Sequence, residues 1–314
     1  MTKLQQITST VFMVKPVRFG FNPETAGNNA FQKEGYQEGA QENALLEFMA
    51  YTSLLKANGI KVVLAEDTPT PFTPDSIFPN NWFTTHQDGT LVLYPMNAEN
   101  RRKERKSEFI DAINKNFKVK KVVDLSHWED ENLFLEGTGS MILDRCNKIV
   151  YACNSPRTSP EVLADFCKQV GYTQVTFNGI DQNGQAIYHT NVMMCIGSKF
   201  AIICLDAITD TEEDKSTGIS GRQRIIDSLK TNGKEIIDIS FEQMNHFSGN
   251  MLELKNSDDE KFLIMSGTAR KCLTKSQSKI FNNYYHRILS PQLDFIEMNG
   301  GGSARCMLAE LMEY

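Results

Sequence analysis

Residues 136–151 read Glu136-Gly137-Thr138-Gly139-Ser140-Met141-Ile142-Leu143-Asp144-Arg145-Cys146-Asn147-Lys148-Ile149-Val150-Tyr151. A small glycine-rich knot opens the stretch, and an apolar strand, a polar turn and a second apolar strand follow. The same order returns downstream. His189-Thr190-Asn191 leads into Val192-Met193-Met194, turns at Gly197-Ser198 and continues as Phe200-Ala201-Ile202-Ile203. Ser248-Gly249-Asn250 leads into Met251-Leu252-Glu253-Leu254, with a turn over 256–260 and a strand at Phe262-Leu263-Ile264-Met265. An upstream copy runs from Asp75-Ser76-Ile77-Phe78 through Asp88-Gly89 to Leu91-Val92-Leu93-Tyr94. The fifth starts at Gly300-Gly301-Gly302 and enters Ala304 to Leu311, with Thr10-Val11-Phe12-Met13-Val14 expected as its partner strand.

The knots begin near 75, 136, 189, 248 and 301, so they are spaced by 61, 53, 59 and 53 residues. Amphipathic helical patterns separate them, each followed by a short strand. Examples are 42–57 then 60–64, 107–116 then 119–123, 160–170 then 174–177, 221–231 then 235–238, and the run 274–289. Such a β-β-α-β unit cannot bury its apolar face alone, and regular repetition implies stacking around a common axis. The expected fold is an α/β, five-bladed, pseudo-symmetric propeller occupying residues 1–314 as one domain, with every knot facing the centre. An ordinary two-domain α/β protein is the competing reading.

Composition narrows the function classes. A formal charge of −6 argues against a nucleic-acid binder, which would carry a basic face. The cluster Arg101-Arg102-Lys103-Glu104-Arg105-Lys106 is broken by an acid and reads as a solvated helix face. The start of the chain lacks the pattern of a secretory leader, and no apolar run reaches the ~18 residues of a membrane span. Seven unpatterned cysteines fit a reducing cytoplasm. With no CxxC, no HExxH and five scattered histidines, neither a metal nor a cofactor is expected.

The knots carry Asp75, Glu136, His189 and Cys306, with Asn81 and Asn191 beside them. If equivalent positions converge, the set suits nucleophilic attack on a trigonal carbon. Cys306 attacks, and His189 moves protons to the leaving amine and from water. Glu136 holds the other imidazole nitrogen, and Asp75 accepts hydrogen bonds from an N–H-rich substrate. Arg222, opening a helix, is a candidate for a substrate carboxylate, with a surface role as the favoured alternative. The Phe19–Asn29 loop is a candidate lid. Asn250 reads as a turn stabiliser, and the other six cysteines read as structural.

The segments Pro74-Asp75-Ser76-Ile77-Phe78-Pro79-Asn80-Asn81-Trp82, Leu135-Glu136-Gly137-Thr138-Gly139, Tyr188-His189-Thr190-Asn191 and Gly300-Gly301-Gly302-Ser303-Ala304-Arg305-Cys306 resemble the pentein superfamily. That superfamily includes arginine deiminases, dimethylarginine dimethylaminohydrolases and amidinotransferases. The similarity spans essentially the whole chain and is strongest to the amidinotransferase-like, citrulline-utilisation hydrolase branch, whose 19–29 segment is similar too. It implies a five-bladed α/β propeller and a covalent intermediate on Cys306. By the same resemblance His189 matches the general acid/base, Glu136 its partner, and Asp75 a substrate-facing loop.

Asn81 and Asn191 stand where deiminases usually present acids. Burying an unpaired cation costs several kcal/mol, and two amides cannot neutralise one, although each can donate and accept hydrogen bonds. A neutral ureido group, that of citrulline above all, therefore fits better than a guanidinium. Hydrolysis would yield an amine and carbamate, or ammonia and CO2. An amidinotransferase, an arginine-deiminase-like enzyme and a silent amino-acid-binding ring are the alternatives. The expected partner is an arginine- or citrulline-like small molecule, neither nucleic acid nor membrane, and homo-oligomerisation is left open.

Overall fold

The computed structural model describes residues 4–27, 29, 31–32 and 38–313. Five separate small sheets repeat one topology, in which a central strand pairs antiparallel with one neighbour and parallel with another. Thr90–Leu93 takes Phe83–Thr85 and Lys121–Asp124 as its antiparallel and parallel partners. Ile149–Cys153 takes Met141–Asp144 and Thr173–Gly179, the latter extended by Ile208–Thr209. Phe200–Ile203 takes Met194–Ile196 and Glu235–Asp238. Lys261–Ile264 takes Leu252–Lys255 and Arg287–Leu289. The fifth sheet joins the two ends of the chain. Thr10–Lys15 pairs antiparallel with Ala309–Glu310 and parallel with Lys61–Glu66, as the position of the N-terminal strand suggests.

Burial follows position in the sheet. Thr90–Leu93 and Phe200–Ile203 are buried at every residue, as expected for strands covered on both faces. Lys61–Glu66 lies at the edge of its sheet and alternates, so Val63 and Ala65 are buried while their neighbours are not. A helix makes every parallel crossover. Ser107–Asn116 buries Phe109 and Ile113, Pro160–Val170 buries Val162, Phe166 and Val170, and Gly221–Thr231 buries Ile225 and Leu229. These i, i+4 spacings give one apolar stripe per helix. Ala40–Ala57 is buried more widely, because it touches both a strand and the Asp294–Gly300 helix. Glu47 fixes that contact by accepting from the backbone N–H groups of Phe295 and Ile296, at 3.0 Å each.

The polar knots are single turns, each closed by a backbone bond to the residue three positions back. The pairs are Phe78 to Asp75 (2.9 Å), Gly139 to Glu136 (2.9 Å), Val192 to His189 (3.2 Å), Asn250 to Phe247 (2.8 Å) and Cys306 to Ser303 (2.9 Å). Neighbouring units touch through their inner strands: Met141–Asp144 meets Met194–Ile196, which meets Leu252–Lys255, and Ala309–Glu310 meets Phe83–Thr85.

Three expectations are corrected. Asp75-Ser76-Ile77-Phe78 is a turn, and the strand of that unit begins at Phe83. Pro79 explains this, since it has no N–H for a ladder and opens a 3₁₀ turn over Pro79–Asn81. After the glycine run, the strand expected within Ala304 to Leu311 is confined to Ala309–Glu310. Gly300 ends the Asp294–Gly300 helix, and Gly301 caps it in the left-handed region at φ 63°. A Cβ on Gly300 or Gly302 would come within 2.8 Å of the Phe78 ring, so these glycines let the first and fifth turns pack together. The basic cluster is not a solvated face. Arg101 and Glu104 are buried, Arg102 and Arg105 lie by Glu129, and Lys106 bonds Asp67. Among the described residues, no helix is long and apolar enough to cross a membrane.

Gly137 has φ 45°, and a Cβ there would strike the backbone oxygens of Asn80 and Asn81. Gly171 also has positive φ, at 76°, but faces open space. Gly137→Ala should therefore cost about 3 kcal/mol or more, against about 1 kcal/mol for Gly171→Ala. Urea unfolding of the two variants checks the contrast.

Candidate functional site

Asp75, Asn81, His189 and Cys306 line one small cavity of about 20 Å³, with Arg101, Arg157, Tyr188 and the glycine run completing its wall. The turns explain the convergence. Each presents a side chain from the same end of its unit, and glycines allow close approach. Gly139 is the clearest case, because a Cβ there would meet the His189 ring at 2.8 Å and collide with Asn81 Nδ2.

Glu136 lies behind His189 and has no exposed surface, with its Oε2 2.8 Å from His189 Nε2. Its Oε1 accepts from the Asn97 N–H at 3.0 Å. Burial alone would push this carboxyl up, but Arg157, His189 and Arg101 together hold it well below the usual carboxylate range. The arginines lie 3.5 Å and 3.9 Å from Oε2. His189 is lowered to about 4, first by burial, with Glu136 opposing and the two arginines reinforcing. The imidazole is thus neutral near pH 7, and its Nε2–H faces the carboxylate, which leaves Nδ1 as the basic nitrogen.

Cys306 Sγ accepts from two side-chain amides, Asn250 Nδ2 at 3.1 Å and Asn191 Nδ2 at 3.4 Å. Burial pushes the thiols of four other cysteines up, those of Cys153, Cys167 and Cys195 to about 12 and that of Cys204 to about 11. Asn250 also accepts from the Arg305 N–H at 3.0 Å, so it holds the fifth turn as well as reaching the sulfur. The hydroxyls of Tyr51 and Tyr188 donate to the carbonyls of Ala304 (3.1 Å) and Gly301 (3.0 Å), which anchors that turn further.

Asp75 is buried. Its Oδ2 accepts from Asn22 at 2.7 Å and Thr25 at 3.2 Å, while Oδ1 has no partner. Burial raises this carboxyl, with Arg101 the largest opposing influence. Asn81 Oδ1 accepts from Arg101 at 2.8 Å, so its Nδ2 is left unpartnered, as is Asn191 Oδ1. Of the Phe19–Asn29 loop, Asn22 is built into the floor behind Asp75 and Asn29 lines the cavity; Asn28 lies outside the described residues. Arg222 is not brought here. It is an exposed side chain bonded to Asp206 at 2.7 Å, so its charge is satisfied on the surface.

Arg101 and Arg157 are the residues that sequence reasoning missed. Arg101 was hidden in a run of surface-like charges, though the Arg101 and Glu104 pair at i, i+3 is a detectable signal. Arg157 sits in an irregular turn after a strand, where nothing in the pattern marks it. A wider groove of about 460 Å³ shares Tyr188 with the cavity, but neither Cys306 nor His189 lines it.

A family model described as eukaryotic N,N dimethylarginine dimethylhydrolase matches residues 15–313. No curated protein matches the chain by sequence. Among solved structures, the substrate-bound N-terminal domain of ArgZ, an arginine dihydrolase from cyanobacteria, superposes with a TM-score of 0.72 at 16% identity, covering 97% of this chain and 98% of that one. Unliganded AgrE has a TM-score of 0.69 at 17% identity, and the match covers 97% of this chain but 39% of AgrE. A dimethylarginine dimethylaminohydrolase carrying an S-methyl-L-thiocitrulline adduct has a TM-score of 0.65 at 13% identity, over 96% and 98% of the two chains. At these identities the likeness is one of fold.

The His189 and Glu136 shifts have one stability consequence. Between about pH 6.5 and 4 the unfolded chain takes up the His189 proton more readily than the native one, so stability should fall on acidification through that window. Glu136 adds to the loss below the ordinary carboxylate range. Denaturant unfolding at pH 6.5 and 4.5 should show the drop, of order ~3 kcal/mol at most for His189. His189→Asn should flatten the part between pH 6.5 and 4.5.

Proposed function

Since the chain belongs to the family of eukaryotic N,N-dimethylarginine dimethylhydrolases and, with its structural neighbours, to the pentein superfamily, we propose that it is a cysteine-dependent hydrolase of the ureido or guanidino carbon of a small amino acid, with citrulline favoured. Residues 1–314 act as one catalytic domain, the five units closing into a ring with one blade each. Contacts between neighbouring inner strands support that closure.

One observation carries the substrate preference. Among the side chains that line the cavity, Asp75 has an unpartnered acceptor, Oδ1, and Asn81 an unpartnered donor, Nδ2, and Asn191, which donates to the Cys306 sulfur, has a further unpartnered acceptor, Oδ1. A ureido group offers one carbonyl acceptor and three N–H donors, whereas a guanidinium offers donors only and would face the Asn81 donor with another. Charge points the same way. Arg101 and Arg157 already stand against Asp75 and Glu136, and a third buried cation would lie beside two others.

In this reading Cys306 Sγ forms a bond to the ureido carbon while His189 Nδ1 takes the thiol proton. The tetrahedral adduct collapses by breaking the bond to the side-chain nitrogen, which receives that proton and leaves as the amine of ornithine. An S-carbamoyl group remains on the sulfur. Water then adds with His189 accepting its proton, the C–S bond breaks, the sulfur regains a proton, and carbamate decays to ammonia and CO2. Glu136 stabilises the transient imidazolium throughout.

Citrulline, arginine and agmatine, each assayed for ammonia, form the test. Turnover should be fastest with citrulline and absent in Cys306→Ala. Glu136→Gln should lower kcat by roughly 10²–10⁴. Turnover of arginine with none of citrulline would overturn the preference, and undiminished ammonia release by Cys306→Ala would overturn the thiol mechanism. The donors around the sulfur have their own readout. Asn250→Ala should slow alkylation of Cys306 by iodoacetamide at pH 7 by about tenfold, roughly the worth of one charge-assisted hydrogen bond, which mass spectrometry can follow.

A further inference from the structure

The groove of about 460 Å³ beside the catalytic cavity combines two kinds of lining. One is aromatic. The Phe31 ring packs on Phe247 at 5.0 Å between centroids and on Tyr188 at 6.4 Å, and all three rings line the groove. Phe247 takes φ 61°, in the left-handed region that a bulky side chain rarely adopts, and it is buried there. The charged lining is acid only. Asp181 comes from the segment after Thr173–Gly179, and Asp294 and Glu297 come from the Asp294–Gly300 helix.

None of these acids pairs with a cation among the described residues; their partners are neutral. Asp181 Oδ1 accepts from the backbone N–H groups of Asn183 and Gln185 at 2.8 Å each, which leaves Oδ2 free. Asp294 accepts from the Thr268 hydroxyl at 3.4 Å and Glu297 from the Ser303 hydroxyl at 2.6 Å. Glu297 is buried, and burial raises its carboxyl, with the hydroxyls of Ser266, Ser303 and Thr268 opposing and Asp294 reinforcing. The catalytic side differs, since Asp75 and Glu136 each lie by an arginine. A buried acid without a counter-ion is costly, and aromatic faces attract cations and cover methylene groups. We propose that the groove is a second ligand site, outside the catalytic cavity, for an aliphatic diamine: its ammonium groups supply the missing counter-ions and its methylene chain lies against the aromatic rings. An amino acid fits less well, because its carboxylate meets three groups of its own sign. The groove has the size and the mixed lining of a small-molecule site, and the inference does not rest on the ureido reading.

Tyr188 and Glu297 also bond Gly301 and Ser303, in the turn that carries Cys306, so the test uses Asp181 and Asp294, which bond neither. Isothermal titration of the full chain with 1,4-diaminobutane, n-butylamine and ornithine compares two cations, one cation, and two cations with a carboxylate. The diamine should bind about tenfold or more tightly than either of the others, roughly the worth of one charge-assisted hydrogen bond. Asp181→Asn and Asp294→Asn should each weaken the diamine by about tenfold and leave turnover in the catalytic cavity unchanged. Butylamine binding as tightly as the diamine marks a pocket for a single ammonium, such as a lysine side chain of a partner offers, and overturns the diamine assignment. Ornithine binding as tightly as the diamine overturns the exclusion of amino acids. No binding at about 10 mM diamine, far weaker than the ~1 µM–1 mM range of ordinary ligands, or an affinity untouched by both substitutions, overturns the site.

Discussion

A carboxylate without solvent, that of Glu136, has to stay ionised for this site to exist. Desolvation opposes the charge by several kcal/mol, and the structure answers with a hydrogen bond from His189, one from the Asn97 backbone, and two buried arginines. Most other features of the cavity follow from that requirement. The arginines bring further carboxylates, Glu104 and Asp75, to balance them. The imidazole is pinned in one tautomer by the charge beneath it, and its free nitrogen falls on the cavity side. Burial that weakens the imidazole as a base also removes the water that would compete for the substrate.

The repeat was legible because each unit spells its strands and helices in periodicity. The apolar runs at 141–143, 149–151 and 200–203, and the i, i+4 stripes of 160–170 and 221–231, match the observed elements closely. Legibility failed where local chemistry overrode hydrophobicity. Ile77 and Phe78 are apolar enough for a strand, yet Pro79 forces a turn. The glycine run looks like a loop poised over a ligand, yet its first residue ends a helix and its second caps it. Cys306, His189, Glu136 and Asp75 could be picked out because each sits at the first or last residue of a turn that recurs at a fixed phase of the repeat. Arg101 and Arg157 sit at no such phase, and charge in a sequence does not say whether it will be buried. Arg222 was chosen on helix position alone, and surface acids claim it.

Five similar turns with five different side chains also explain why the site is asymmetric inside a regular scaffold. The backbone bond closing each turn is common to all, so the geometry of presentation is nearly constant while the chemistry varies. The carboxylates and the imidazole open their turns while the amide and the thiol close theirs, and their separation along the chain, from residue 75 to residue 306, costs nothing once the units pack. The fourth turn shows the economy of this plan. Asn250 carries no chemistry of its own, yet its amide donates to the sulfur and its oxygen accepts from the backbone beside it.

The amides at 81 and 191 are what the proposed preference for a neutral ureido group rests on. A carboxylate accepts from any direction, so its selectivity is for charge. An amide is selective by orientation, and orientation has to be imposed from outside. Asn191 is oriented by the sulfur and Asn81 by Arg101, and in each case the imposed direction leaves one defined atom unpartnered. In the proposed reading, two amides and one carboxylate describe a neutral group with a carbonyl and several N–H bonds more narrowly than three carboxylates would. The buried ion pairs behind them are the cost of that narrower description.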